Sequence, residues 1–585
     1  MKKREKKFVL AALALLAITG LLALAGCKND TVPEPTRYTV KFDKGDNSEY
    51  TGDLPADITV VSGTKLTAEQ LKVLDSTDNY IFEGWYDGET KAEGGTYTVT
   101  KDVTLVAKWR DRGTVASVNF SPAGGTKFYL GESIAVSLTS EEGATIQYHL
   151  GDGSWKDYDA GGKIQVTGDT TITAKATKEG LKPSETTATY TVRKLEGITV
   201  TTSPERTVYS VGQEFDSTGM KVTATYDDGE ERTVTGTITT DTSTLTESAG
   251  IGKPVTVSYK EGDTTKEATF TIDVASYEFT ETVQDVDSSY AGTMTGGNYK
   301  KFGDWPQIIK KEGVEIGAGT LVRGGLTYHV GNDGNYYVKH SDKYYKVEPI
   351  VWRVLTTSYE VPEGGTGDNA LLLAEKILTG GIRYYVDTST RTITGAGTKE
   401  GEPNTVYPNN WQYSTIRAWL NGSYEANDTQ NKTYDGKGFL QTAFTESAWN
   451  LIADTTVDNS ATSTNPASNP KQWNEGENPY ACGKTTDKVF LLSEEEATNS
   501  EYGFGAYNNE DSTRIRVTTD YAKATGAYQS TSEGDGGWWW LRSPYYDFED
   551  YARVISIDGI ADSYSDVDYT YGGVVPALSI SLGGN

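Results

Sequence analysis

Residues 538–578, WWWLRSPYYDFEDYARVISIDGIADSYSDVDYTYGGVVPAL, have two rigid ends and an unusual middle. Trp538, Trp539, Trp540 and Leu541 form an apolar block, and Val574, Val575, Pro576, Ala577 and Leu578 form a short β-like run. Between them, residues 545–571 hold six Tyr, six Asp and three Ser, whereas a core strand would be rich in Val, Leu and Ile. Tyr offers large amphipathic contact area at low rotamer cost, and Ser and Asp offer adaptable hydrogen bonding, which is the composition of binding paratopes. The same composition suits an acidic β-meander whose tyrosines cover a neighbouring sheet, and contiguity of the exposed rings distinguishes the two. The candidate ligand-binding residues are Tyr545, Tyr546, Asp547, Phe548, Asp550, Tyr551, Asp562, Tyr564, Asp566, Asp568, Tyr569 and Tyr571. Strand alternation predicts Trp538 and Trp540 on one face and Trp539 on the other.

A chain of 585 residues is too long for one core and predicts roughly three to five domains. Its 63 Gly and 38 Tyr, with Thr-rich alternating runs and few helical patterns, predict a mostly β protein exported to a wet environment. The formal charge of −28, with no Lys/Arg cluster beyond the N-terminus, excludes a phosphate-backbone partner such as nucleic acid. Cys27 and Cys482 are the only cysteines, so there is no disulfide framework. Lys2, Lys3, Arg4, Lys6 and Lys7 precede an apolar run, residues 8–24, that is short for a membrane span. Leu24-Ala25-Gly26-Cys27 then resembles a bacterial lipobox, which implies removal of residues 1–26 and acylation of Cys27. The expected product is a lipid-anchored envelope protein, surface-exposed and monomeric, with residues 27–36 as a polar tether.

Three β modules follow. Residues 37–110 open with YTVKF and close with TYTVTKDVTLVAKW, with one short helix expected within 65–73. The spacing of Gly63, Phe82-Glu83-Gly84-Trp85-Tyr86 and Trp109 resembles the internalin-type B-repeat, which implies a β-grasp-like module with Trp85 and Trp109 in its core. Residues 114–194, with turns at Pro122-Ala123-Gly124-Gly125 and Gly180-Leu181-Lys182-Pro183, resemble the immunoglobulin-like C-terminal domain of chitobiase-type proteins. Residues 195–275, with the run 220–226 ahead of Asp227-Asp228-Gly229, resemble a bacterial Ig-like domain. The next stretch, 276–298, is polar and reads as a linker, so the domain from 299 to 585 is expected to fold alone.

That last domain has widely spaced landmarks. FGDWPQ at 302–307 reads as a turn, and 349–355 and 371–376 read as strands. Ile416, Trp419 and Leu420 fall on one face of a helix behind a Ser414/Thr415 cap, with a second helix expected near 444–452. Val489-Phe490-Leu491-Leu492 reads as a strand, and Ser493 caps a short helix led by Glu494, Glu495 and Glu496. The order FGDWPQ, PIVWRVL, STIRAWLN, KVFLLSEEEA, WWWLRSP and GGVVPAL resembles a bacterial family, domain of unknown function 6273; Val575 departs from the more usual GVRPAL. That family is similar to the formylglycine-generating-enzyme branch of the C-type-lectin fold, which includes the variable proteins of diversity-generating retroelements. The resemblance implies an α+β C-type-lectin-like domain whose C-terminal loops carry diversified ligand contacts. Residues 545–571 suit that implication: they lack Asn, and Asp, Tyr, Ser and Ile are single-base products of adenine changes in Asn codons.

No residue pattern supplies catalysis, a cofactor or a metal site. The enzyme branch implied by the resemblance uses cysteine chemistry with a metal, and this domain has Cys482 alone. His149, His329 and His340 lack the ligand spacing of a zinc site, and Asp562, Asp566 and Asp568 lack the Gly and closing Glu of an EF-hand loop. The expected whole is a multidomain, mostly β protein in which a β-grasp-like repeat and two Ig-like sandwiches present a C-type-lectin-like domain to an extracellular protein or glycan. The alternatives are an enzyme-derived sulfatase-modifying domain and a passive envelope protein without a specific ligand.

Overall fold

Alternating Thr, Val and Tyr along most of the chain produce strands, and strands dominate the computed structural model, which describes residues 33–581 except 235–237, 241–245, 360–368, 398–401, 427, 429, 465–477 and 532–535. The side chains of 238–240 also lie outside it. Cys27, the leader and the start of the tether fall outside the described residues. Among the described residues no helix is long and apolar enough to cross a membrane. The chain forms two compact units, Met1–Arg193 and Lys194–Asn585.

The first unit holds two modules. In one, Arg37–Asp43 runs parallel to Val103–Asp111 at the centre of a five-stranded sheet. Trp85 is buried there, edge-on to Phe42 and Phe82, and Trp109 packs on the same cluster. The helix expected within 65–73 is instead a single turn, Leu71 N–H to Thr67 O, opened by a capping box in which Thr67 and Gln70 each accept from the other's backbone N–H. In the other module, a three-stranded and a five-stranded sheet enclose Val136, Leu138, Ile172, Ala174 and Tyr190.

The second unit opens with another sandwich. Leu195–Thr202, Lys221–Tyr226 and Glu231–Val234 form one sheet, and Val208–Ser210, Thr264–Ala275, Gly250–Glu261 and Ile238–Thr240 the other. Beyond it, Lys343–Tyr359 is the spine of a nine-stranded sheet, paired with Tyr299–Ile309 on one edge and with Asn369–Ala374 towards the other. FGDWPQ is therefore strand rather than turn: Gly303, at φ 71°, makes a bulge where any Cβ would collide with Phe444, and the strand continues through it.

Residues 276–298 are not a linker. Gln284–Asp285 extends the large sheet, and Phe279 stacks on Tyr336 with ring centroids 5.0 Å apart. Asp304, 1% exposed, accepts from the Tyr277 hydroxyl at 2.5 Å and from the Thr280 N–H at 2.7 Å and hydroxyl at 3.0 Å. Burial pushes the Asp304 carboxyl up, and these three donors oppose that shift. Tyr277, Phe279 and Thr280 thus tie the stretch to the core, while most of its other residues face solvent. The preceding sandwich also joins the core: Val208 and Ala275 belong to its main apolar cluster, and Asp273 accepts from Gly252 and Gly319 N–H.

The capped helix appears as Thr415–Asn421, with Ser414 accepting from Arg417 N–H and Gly422 closing it in the left-handed conformation. The helix expected near 444–452 is only the short Glu446–Trp449, capped by Thr445 after the extended Phe444, and an unforeseen short helix, Phe439–Ala443, precedes it. Val489–Phe490 is the strand before Ser493, whose capping box with Glu496 opens Glu494–Ala497. At the end of the chain Val574 makes only an isolated bridge to Thr379, and the closing strand is Ala577–Ser581, against Asn369–Ala374 and Val489–Phe490.

Candidate functional site

Trp539–Pro544, Tyr551–Ile555 and Ser563–Asp566 form a separate antiparallel sheet that carries the candidate residues. Trp538 and Trp540 share a face, with centroids 5.2 Å apart, and Trp539 points the other way to bond Arg514 O, as alternation predicted. Trp539 and Trp540 are fully buried, so the block anchors the sheet. Gly572 is needed beside it, since a Cβ there would collide with the Trp540 indole.

The tyrosines meet through Tyr564. Its ring, 48% exposed, stacks on Tyr545 at 4.2 Å and 19° and meets Tyr551 edge-on at 5.5 Å. Phe548 and Tyr546 extend the group, touching Tyr551 and Tyr545. On its other side Tyr564 lines an open groove of about 480 Å³, shared with Tyr569, Tyr571, Tyr528 and Trp538. The six candidate tyrosines therefore border one aromatic surface, although Tyr545 is mostly covered and acts as its floor.

What holds that floor is ionic. Arg553 lies opposite Tyr564 in register, and its guanidinium sits 4.7 Å from the Tyr545 ring centre. Arg553 pairs with the buried Glu494 at 3.0 Å and with Asp562 at 3.5 Å. Arg542, equally buried, pairs with Glu496 and donates to Leu491 O at 2.8 Å. Burial alone would raise the Glu496 carboxyl, but the Arg542 guanidinium outweighs it and holds the group below its ordinary range. Two of the three glutamates, Glu494 and Glu496, thus face inward and serve the arginines as well as the helix start, and Glu495 is exposed.

The candidate acids divide. Asp562 also accepts from the Tyr507 hydroxyl at 2.8 Å and so supports the fold, while Asp566 accepts from Tyr551, whose hydroxyl it holds above the ordinary tyrosine range. Asp547 is exposed, and Asp550 and Asp568 are half-buried, with the Asp550 carbonyl taken by Val567 N–H. Among the described residues no three His, Cys, Asp or Glu side chains are grouped to hold a metal ion.

Two supports escaped the sequence reading. Asn409, fully buried, donates to the carbonyls of Phe548 at 2.9 Å, Tyr551 at 3.0 Å and Tyr545 at 3.4 Å, and so fixes the connection between the first two strands. Arg514 donates to the carbonyls of Gly559, Ala497, Gly505, Ala506 and Asn509, which ties one long loop to the turn beside the site. Arg between apolar residues, as in WWWLRS, YARVI and TRIRV, was the available signal for Arg542, Arg553 and Arg514, because an isolated cation is not buried without partners, and nothing local marked Asn409.

Residues 202–274 match the bacterial Ig-like domain (group 3), and residues 367–582 match a domain of unknown function, DUF6273. No curated protein matches the chain. Immunoglobulin domains 1–4 of Sidekick-1 align with 42% of this chain and 68% of theirs, at 11% identity and a TM-score of 0.15. Extracellular domains 3–5 of Drosophila OTK align with 40% and 94%, at 12% and 0.11. A structure of a 1.5-MDa bacterial ice-binding adhesin aligns with 50% and 93%, at 11% and 0.15. At those scores these likenesses carry no argument about fold or function.

Proposed function

We propose that the chain is a non-catalytic, lipid-anchored bacterial surface protein whose C-terminal domain binds an extracellular protein or glycan through the aromatic surface of residues 545–571. The observation that carries this reading is the placement of Tyr564, which joins the Tyr545, Tyr551 and Phe548 rings to the groove of Tyr569 and Tyr571. Contiguous exposed rings over a floor fixed by buried ion pairs separate adaptable contacts from rigid scaffold. In this reading the β modules before it are a spacer from the membrane, Cys27 is the acylated residue, and the C-terminal domain is of the C-type-lectin type. The composition of 545–571 supports diversification by a retroelement, restricted to outward side chains.

The test is retention of the full chain on immobilised glycans and extracellular proteins, compared with the variant Tyr564→Ala, Tyr571→Ala. Retention of the native chain that the variant loses supports the reading. Equal retention of both refutes the aromatic surface as the contact, and retention of neither leaves a passive envelope protein. Diversification has its own test in sibling genes, where substitutions should fall on Asp547, Phe548, Tyr564, Tyr569 and Tyr571 while Arg553, Asp562 and Gly559 stay fixed. Scattered variation that includes Arg553 would refute it.

A further inference from the structure

A second groove of about 430 Å³ lies beside the first and uses none of its residues. It is built by the spaced landmarks of the sequence: Trp305 from FGDWPQ, Trp419 from STIRAWLN, Gly380 and Gly381, and the pair Tyr434 and Lys437. Trp305 is the floor, its indole N–H donated to Leu378 O at 2.9 Å and its ring set edge-on to Trp419 and Tyr521. Trp419 and Tyr434 are only half-buried, which leaves ring surface towards the groove.

The partition between the two grooves is backbone. Gly381 N–H donates to Thr570 O at 3.0 Å, and Tyr528 N–H donates to Tyr571 O at 3.0 Å. Thr525 and Gly381 line one groove, and Tyr528 and Tyr571 line the other. A Cβ on Gly380 would strike the Ala527 backbone, so glycine there lets the two segments close up and keeps the partition thin.

The lining defines a ligand chemistry. In a chain with 82 Asp and Glu against 54 Lys and Arg, neither groove has an acidic side chain in its wall among the described residues. A cationic ligand would find no counter-charge in these walls, and an anionic polymer would meet the single ammonium of Lys437 on a chain of net charge −28 that repels it. Among the described residues the hydroxyls of Tyr434, Tyr528, Tyr564, Tyr569 and Tyr571 have no protein partner, so they stand ready to bond a ligand. Open aromatic faces beside unused hydroxyls suit a polyhydroxylated ligand, whose ring C–H faces stack while its hydroxyls hydrogen-bond. We propose that the two grooves are adjoining subsites for one uncharged polysaccharide chain. This rests on the ligand-binding reading of 545–571 and narrows it to neutral glycan.

The experiment is affinity electrophoresis of the full chain in gels containing dextran, mannan, laminarin, soluble starch or arabinoxylan. The variants are Tyr434→Ala for the second groove and Tyr571→Ala for the first, both outside the apolar core. Retardation by at least one polysaccharide, weakened about tenfold or more by either substitution, is the expected result. Loss with Tyr571→Ala but not Tyr434→Ala overturns the second subsite and leaves the aromatic surface as the binding site. Retardation unchanged in both variants defeats the subsite proposal and the aromatic-surface reading together. Retardation by none of the five, with retention on a protein ligand, overturns the glycan assignment alone. Retardation by none and retention on nothing overturns both.

Discussion

Arg542 and Glu496 show how single side chains set the site without touching a ligand. Both are buried, and removing one leaves the other as an uncompensated interior charge, a change that costs about 3–5 kcal/mol in comparable pairs. Arg542→Met should therefore lower unfolding free energy by about that amount, and adding Glu496→Gln should recover part of it; urea titration of the single and double variants measures both. The acid response follows in sign. The folded Glu496 carboxyl lies below its ordinary value of 4.5, so its stabilisation is complete above that pH and fades as pH falls through the folded value. Asn409 acts on backbone instead. Asn409→Ala strips one donor group from three carbonyls and should cost about 1–3 kcal/mol, with ligand retention falling although every Tyr is intact. Stability and binding both unchanged would show that the connection holds itself. Neither role was legible in advance, because partner identity depends on chain segments up to 142 residues apart.

At the scale of elements, the three-stranded sheet works because period-two alternation assigns its faces. Arg553 and Tyr545 form a layered floor under Tyr564, and the Tyr545 hydroxyl is pushed up to about 12, first by burial and then by Tyr546. A raised tyrosine keeps its stabilisation below the ordinary value of 10 and loses it as pH climbs towards 12. The aromatic surface should loosen across that interval. Tyrosinate absorbance should rise there in the native chain and rise by one tyrosine less in Tyr545→Phe. Alternation in the sequence predicted the faces of Trp538, Trp539 and Trp540, and the capped helices at Ser414 and Ser493 were readable from their caps. The strand through FGDWPQ was not, since Gly and Pro usually mark turns and here Gly303 marks a bulge.

For the whole molecule the decisive boundary is the stretch at 276–298. A fragment beginning at 299 leaves Asp304 buried without Tyr277 and Thr280, and strips Phe279 from Tyr336. That fragment should fail to give a cooperative thermal transition, whereas one beginning at 195 should melt cooperatively; a sharp transition for the shorter piece would contradict the role given to Asp304. The sequence alone determined the mostly β character, the three alternating-strand modules, the cap positions and the aromatic vocabulary of 545–571, because each is written in local spacing and composition. Only the tertiary structure decided that a polar stretch lends Tyr277, Phe279 and Thr280 to the core, that Glu494 and Glu496 belong to Arg553 and Arg542, and that tyrosines up to 26 residues apart border one surface. Burial of a charge or a polar run is favourable only when distant partners satisfy it, and those partners are chosen by the fold rather than by neighbours in the chain.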